Sequence, residues 1–186
     1  TTSNYATLSA PTTGTGFGAT VLVAGDLNGD GYDDVAVSDD YNYSALYVFH
    51  GSSSGLVSTP VNTLNIGNAN FGYSLSSGDV NNDGDDEIIV VKGTNSSDSV
   101  LAIYDPVVTS GTPGQITRFS LPERPETVGA GNFDTNVSGD ELVVVRKVVA
   151  GESSNAQGSR TVIYKQTVNN GNGANWTQHT ARNADP

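Results

Sequence analysis

Asp26-Leu27-Asn28-Gly29-Asp30-Gly31-Tyr32-Asp33-Asp34 sets oxygen-bearing side chains at alternate positions, Asp26, Asn28 and Asp30, and closes with Asp34. A hard divalent cation such as calcium takes about six to eight oxygen ligands. A tight loop supplies them from its first, third, fifth and ninth positions together with the backbone carbonyl of the seventh, here Tyr32. Gly31 lets the chain turn sharply between them. The pattern returns at Asp79, Asn81, Asp83, Asp85 (as a carbonyl) and Glu87, an offset of 53 residues from 26 to 79. Two such loops in register make a repeat.

An EF-hand closes with a bidentate Glu at its twelfth position, which here is Val37 in the first loop and Val90 in the second. The flanks, Val21-Leu-Val-Ala24 and Val35-Ala-Val37, are short β-branched runs rather than amphipathic helix, so the loop sits on a β-hairpin.

The charge agrees with a local metal role. Of the 20 acidic residues behind the net charge of −12, 11 fall within 26–40 or 79–87. Such a surface repels phosphate backbones and anionic lipid, which argues against nucleic acid and membrane partners. The absence of Cys removes disulfide and thiolate chemistry. No apolar run reaches the length of a transmembrane helix, so membrane insertion is not expected.

Working outward, residues 17–25, 34–38, 45–50 and 61–66 read as four short strands, with the loop between the first and second. Alternation within Leu46-Tyr-Val-Phe49 suits a strand buried on both faces. The order repeats from Phe71 through Ile88–Lys92, Val100–Tyr104 and Gln115–Leu121. It repeats again from Val128 through Leu142–Arg146 and Thr161–Tyr164. Four strands per period of about fifty residues predict an all-β protein of β-propeller blades. The expected boundaries are 17–66, 67–121 and 122–186, with 1–16 holding the outer strand of a preceding blade (Tyr5–Ser9) and a linker. A third, weaker metal loop offers Asn132, Asp134 and Asn136. It closes at Asp140 by counting or at Glu141 by aligning strands, and Val137 stands where the turn glycine belongs.

Phe17-Gly18 and Phe71-Gly72 ahead of Gly-Asp-x-Asn-x-Asp-Gly loops, with Leu46-Tyr-Val-Phe-His-Gly-Ser-Ser-Ser-Gly-Leu56 after one, resemble the FG-GAP (VCBS-like) repeats of integrin α-subunit propellers. The resemblance spans nearly the whole chain. It departs at Asp105-Pro106, which replace the Gly-Ser tail, and in the third unit, which lacks the Phe-Gly pair. It implies a propeller of usually seven blades, calcium on one face and ligands gripped by loops on the other. Adhesion receptors, lectins and accessory domains of secreted enzymes all use this repeat, so fold alone names no activity.

Catalytic signals are sparse. His50 and His179 are the only histidines, no nucleophile elbow is present, and both read as surface or interblade residues. The functional expectation is a secreted or cell-surface recognition or adhesion module, stabilised by calcium at two loops with a third possible, that binds a glycan or an extracellular protein. The alternative is a non-catalytic propeller part of a secreted polysaccharide-degrading enzyme. Tyr41 and Tyr43, beside Asp and Asn in 39–44, are the candidate ligand-binding residues, since such rings stack on sugars or anchor protein side chains. At this period 186 residues make about three and a half blades, against about four to eight in closed propellers. The ring is therefore expected to be completed by a missing propeller half or by a second copy of the chain, and both ends are expected to expose apolar blade faces.

Overall fold

The computed structural model describes residues 7–11, 16–39, 45–65, 74–92, 100–106, 114–120, 125–133, 139–147, 159–166 and 176–182. Twelve strands follow one another: β1 (Phe17–Gly25), β2 (Asp34–Asp39), β3 (Ala45–Phe49), β4 (Asn62–Asn65), β5 (Ser74–Gly78), β6 (Glu87–Lys92), β7 (Val100–Asp105), β8 (Gly114–Ser120), β9 (Pro125–Gly131), β10 (Glu141–Lys147), β11 (Ser159–Gln166) and β12 (Trp176–Arg182). They form three four-stranded antiparallel sheets, each a meander in chain order. The protein is all-β and these sheets are β-propeller blades. Among the described residues no helix is long and apolar enough to cross a membrane.

The first strand of each blade lies against the first strand of the next, β1 on β5 and β5 on β9. These are the inner strands, and the β-branched runs that follow them fill the space between blades. Leu46, Val48 and Leu64 meet Ile88, Val90 and Ala102 between the first and second blades. Ile89, Val91, Leu101 and Ile103 meet Val128, Leu142 and Val144 between the second and third. Leu46, Val48, Ile88, Ile89, Val90, Leu101 and Ile103 are fully buried. Each such side chain contributes about 1.5–3 kcal/mol relative to exposure, which makes the interblade layers the main source of stability.

The alternation within β3 is real: Leu46 and Val48 face the second blade, while Tyr47 and Phe49 join Val37 and Ala45 on the other face. That other face corrects in part the expectation of a bare apolar surface. Val37, Ala45, Tyr47 and Phe49 are buried by the chain itself, under Leu8, Phe17, Val35 and Leu56. The Phe17 ring lies 5.7 Å from Tyr47 and 6.2 Å from Phe49, tilted or edge-on as aromatic pairs prefer. The outward face of the first blade is therefore covered over β2 and β3, while Val21 and Val23 of its inner strand, opposite Val37 and Val35, remain 61% and 65% exposed. Of the expected strand Tyr5–Ser9, Tyr5 and Ala6 lie outside the described residues, and Thr7–Ser9 form no strand. A strand needs a neighbouring edge to pair with, and this segment contributes through Leu8 instead.

The third blade differs at its far face. Phe133 is 56% exposed, whereas Leu27 and Val80, which hold its place in the first two loops, are buried between blades. Val143 and Val145 are only half-buried.

Candidate metal centre

The inner strand of every blade ends in a glycine, and opposite that glycine sits the acidic residue that closes the loop. The register pairs are Gly25 with Asp34, Gly78 with Glu87 and Gly131 with Glu141. All three closing carboxylates are buried. This answers the third loop's ambiguity about position: Glu141 stands where Asp34 and Glu87 stand, one residue later because the loop carries one more.

Within the first loop the chain bends around the side chains. Asp26 Oδ1 accepts the Asp30 N–H at 3.0 Å and Oδ2 the Gly31 N–H at 2.7 Å. Asn28 Oδ1 accepts the same Asp30 N–H at 2.9 Å, and Asp30 Oδ1 accepts the Tyr32 N–H at 3.0 Å. The second loop reproduces this, with Asp79 accepting from Asp83 and Gly84, Asn81 from Asp83, and Asp83 from Asp85. Gly31 and Gly84 turn with φ of 87° and 103°. Asn82, at the place of Gly29, holds φ 61°, a left-handed conformation that Asn tolerates better than most side chains.

The closing carboxylates tie the loop's first turn to the sheet. Asp34 Oδ2 accepts the Leu27 N–H at 3.1 Å and Oδ1 the Gly51 N–H at 2.7 Å. Glu87 Oε2 accepts from the amides of Val80 and Asn81, and Oε1 from the Asn81 side chain at 2.9 Å. Glu141 Oε2 accepts the Phe133 N–H at 2.7 Å, while its buried Oε1 has no hydrogen-bond donor among the described residues.

Electrostatically the loops are strained. Burial, then the charges of Asp83 and Asp79, push the Glu87 carboxyl up to about 9. Burial also raises Asp34, against the opposing pull of the Gly51 N–H, His50 and the Leu27 N–H. Asp85 is raised by burial and then by Asp83 and Asp26, and Asp140 by burial and then by Asp79 and Glu141. Asp26 runs the other way. Burial pushes it up, but the amides of Gly31, Asp30, Asn28 and Gly29 together hold it below the usual range.

Among the described residues no three acidic or imidazole side chains converge on one point. The reason is visible: each loop relies on an Asn and a backbone carbonyl among its oxygens, and its Asp side chains turn to the loop's own amides. The donor set nonetheless fits a hard cation. Two oxygens per loop already converge on one N–H, Asp26 with Asn28 and Asp79 with Asn81. Burial and neighbouring charges disfavour the ionised form of Glu87 and Asp85, and a buried Glu141 oxygen lacks a donor among the described residues. Asp26, Asn28, Asp30, the Tyr32 carbonyl and Asp34 would hold such an ion in the first loop. Asp79, Asn81, Asp83, the Asp85 carbonyl and Glu87 would do so in the second. Of the third set, Asn132 is exposed, Asp140 half-buried and Glu141 buried, while Asp134 and Asn136 lie outside the described residues.

Asp140 has another partner. Its N–H donates to the Asp79 carbonyl at 2.8 Å, as that of Asp86 donates to Asp26 at 3.0 Å. Their carboxylates press on Gly78 and Gly25 of the preceding blade. At Gly131 the ring of Phe133 fills that place. Tyr41 and Tyr43 lie outside the described residues.

Sequence reasoning missed one residue of the site. His50, read as surface or interblade, is half-buried with Nδ1 3.0 Å from Asn28 Nδ2. The signal was its position one residue beyond Phe49, which pairs with Val35 immediately after Asp34.

Comparison with known proteins follows the same lines. A model of the FG-GAP-like repeat matches residues 26–90. Human integrin alpha-7 is 35% identical over 118 residues, 61% of this chain and 10% of its own length. Integrin alpha pat-2 of Caenorhabditis elegans is 39% identical over 104 residues, 50% of this chain and 8% of its own length. Chicken integrin alpha-6 is 39% identical over 64 residues, 32% of this chain and 6% of its own length. The chain thus spans a tenth or less of these relatives.

Proposed function

We propose that this chain, which carries FG-GAP-like repeats of the integrin α type, is an extracellular recognition or adhesion module whose blades are stabilised by calcium in the β1–β2 and β5–β6 loops, with a further site at the β9–β10 loop. The observation that carries the calcium reading is the closing carboxylate. Asp34, Glu87 and Glu141 are buried at the head of the second strand of each blade, among further acidic groups whose charge a cation would offset. Bound calcium supplies that charge and orders the loop. The chain's own residues bring the oxygens together, hold the turn through Gly31 and Gly84, and join each loop to the next blade through Asp86 and Asp140.

The binding role is supported by the integrin relatives and by the absence of a catalytic constellation in the sequence. Its ligand is a glycan or an extracellular protein, bound by loops at the opposite end of the blades from calcium, with Tyr41 and Tyr43 as anchors. The partner that completes the ring docks on the far face of the third blade. The exposed Phe133 ring and the half-buried Val143 and Val145 support this, because their counterparts in the first two blades are covered by the next blade.

Thermal unfolding of the chain in excess calcium, excess magnesium and chelator tests the metal reading, with a rise in melting temperature specific to calcium as the expected result. A calcium site filled to about a hundred times its dissociation constant adds about 2.7 kcal/mol. Equal melting in all three conditions would remove it. A glycan array and Tyr41→Ala with Tyr43→Ala test the binding face.

A further inference from the structure

The first two loops hold their asparagine in different ways. In the second, Asn81 Oδ1 accepts the Asp83 N–H at 2.8 Å and Nδ2 donates to Glu87 Oε1 at 2.9 Å. The loop's own closing carboxylate thus orients the amide. In the first, Asn28 Oδ1 accepts the Asp30 N–H at 2.9 Å, which turns Nδ2 toward His50 Nδ1 at 3.0 Å, with a longer bond to Asp30 Oδ2 at 3.2 Å. His50 Nδ1 must then accept, so the imidazole proton sits on Nε2.

The cause is a coupled difference between the blades. Asp34 is one methylene shorter than Glu87, and its Oδ1 is drawn to the Gly51 N–H at 2.7 Å. Phe49 and Tyr104 pair with Val35 and Ile88, the residues after each closing acid. His50-Gly51 in the first blade therefore correspond to Asp105-Pro106 in the second. Proline has no N–H to offer a closing carboxylate. Glu87 instead reaches the amides of Val80 and Asn81 and the Asn81 side chain.

We propose that His50 is a positioning residue of the first cation loop, holding Asn28 Oδ1 turned into the loop as Glu87 holds Asn81 in the second. This rests on the calcium reading of that loop. Nδ2 also reaches Asp30 Oδ2 at 3.2 Å, as Asn81 Nδ2 reaches Asp83 Oδ2 at 2.9 Å. But Asp30 is itself a proposed ligand, so His50 is the shorter partner outside the ligand set that keeps the amide from rotating. The Asp/His-Gly and Glu/Asp-Pro combinations are two solutions to one requirement.

The test uses the full chain, labelled with nitrogen-15. Long-range imidazole spectra should show His50 as the Nε2–H tautomer in the unaltered protein. In calcium titrations followed at the Gly31 and Gly84 amides, His50→Ala should weaken the first loop about fivefold, the loss of one neutral hydrogen bond. The second loop should be unchanged. His50→Asn, whose Oδ1 matches Nδ1 in reach, should recover most of the loss. An Nδ1–H tautomer, an unchanged first loop, or equal weakening of both loops would overturn the proposal. Failure of calcium to bind either loop of the unaltered chain would overturn the calcium reading and this proposal with it.

Discussion

The backbone N–H of Asp86 donates to the carbonyl oxygen of Asp26 across 3.0 Å, joining the metal loop of one blade to the metal loop of the next. Asp140 makes the same bond to Asp79. Each bond sits beside a glycine whose missing side chain admits the aspartate, so the blades lock loop to loop as well as core to core. A cation in one loop therefore also fixes an edge on which the next loop rests.

The first prediction concerns that glycine. A Cβ at Gly25 would meet the Asp86 carboxylate, and the backbone there has φ of 68°. At Gly31 φ is 87° but nothing lies within 4 Å. Gly31→Ala is expected to cost about 1–2 kcal/mol of backbone strain. Gly25→Ala should cost about 1–3 kcal/mol more through overpacking. Urea unfolding of the two variants decides it, and equal losses would remove the clamp from the account.

The second prediction concerns pH. The folded-state Glu87 carboxyl is pushed up to about 9 from an ordinary value of 4.5. The folded, cation-free loop therefore holds a proton that the unfolded chain releases. Its stabilising contribution is fully present below about pH 4.5 and is lost as pH rises toward about 9. Stability in chelator should fall across that window, while the gain from calcium, which needs the carboxylate, should grow. Glu87→Gln should flatten both trends. Melting temperatures at pH 5, 7 and 9 check the signs.

Much of this was legible in the sequence because strands and loops are local. The runs around Val35, Ile88 and Leu142 mark strands by β-branching, and the shared spacing of Asp26, Asp79 and Asn132 marks blades. What was not legible depends on contacts across blades or hairpins. Asp86 meets Gly25 only once two blades stack, and His50 meets Asn28 only through the β2–β3 register. Counting along the third loop left Asp140 and Glu141 as alternatives, because an inserted residue is invisible until Gly131 pairs with Glu141. The cover over β2 and β3 of the first blade was missed because it depends on where Leu8 and Phe17 fold back.

A third prediction concerns the inner strands. Ser76 Oγ accepts the Ala130 N–H at 3.0 Å, and Ser74 Oγ the Val128 N–H at 3.2 Å, stitching the second blade to the third. In the first blade Leu22, opposite Ala36, holds the place of Ser76 opposite Ile89, while Val21 and Val23 lie on the other face, 61% and 65% exposed. Ser76→Ala should cost about 1 kcal/mol by leaving an amide without its acceptor. Val23→Ser should change stability by less than about 0.5 kcal/mol, since the side chain is mostly exposed and faces away from the second blade. A loss above about 1 kcal/mol on Val23→Ser would show that the valine packs more than its exposure indicates.

A fourth prediction concerns the docking face. Phe133 is 56% exposed and its ring covers Gly131. Phe133→Ser should change the melting of the isolated chain by less than about 0.5 kcal/mol. If Phe133 anchors the completing blades, the same change should weaken their association by about tenfold or more. Sedimentation of the chain alone and with added blades measures both, and unchanged association would move the interface elsewhere.

The most direct test of the calcium account is hydrogen exchange at the loop amides of Asp30, Gly31, Asp83 and Gly84, measured in calcium and in chelator. The account predicts strong protection of both loops in calcium and its loss in chelator, spreading to Asp86 and Asp140 through their bonds to the neighbouring loops. Exchange that is the same in both conditions would contradict it, leaving these loops as turns closed by their own aspartates.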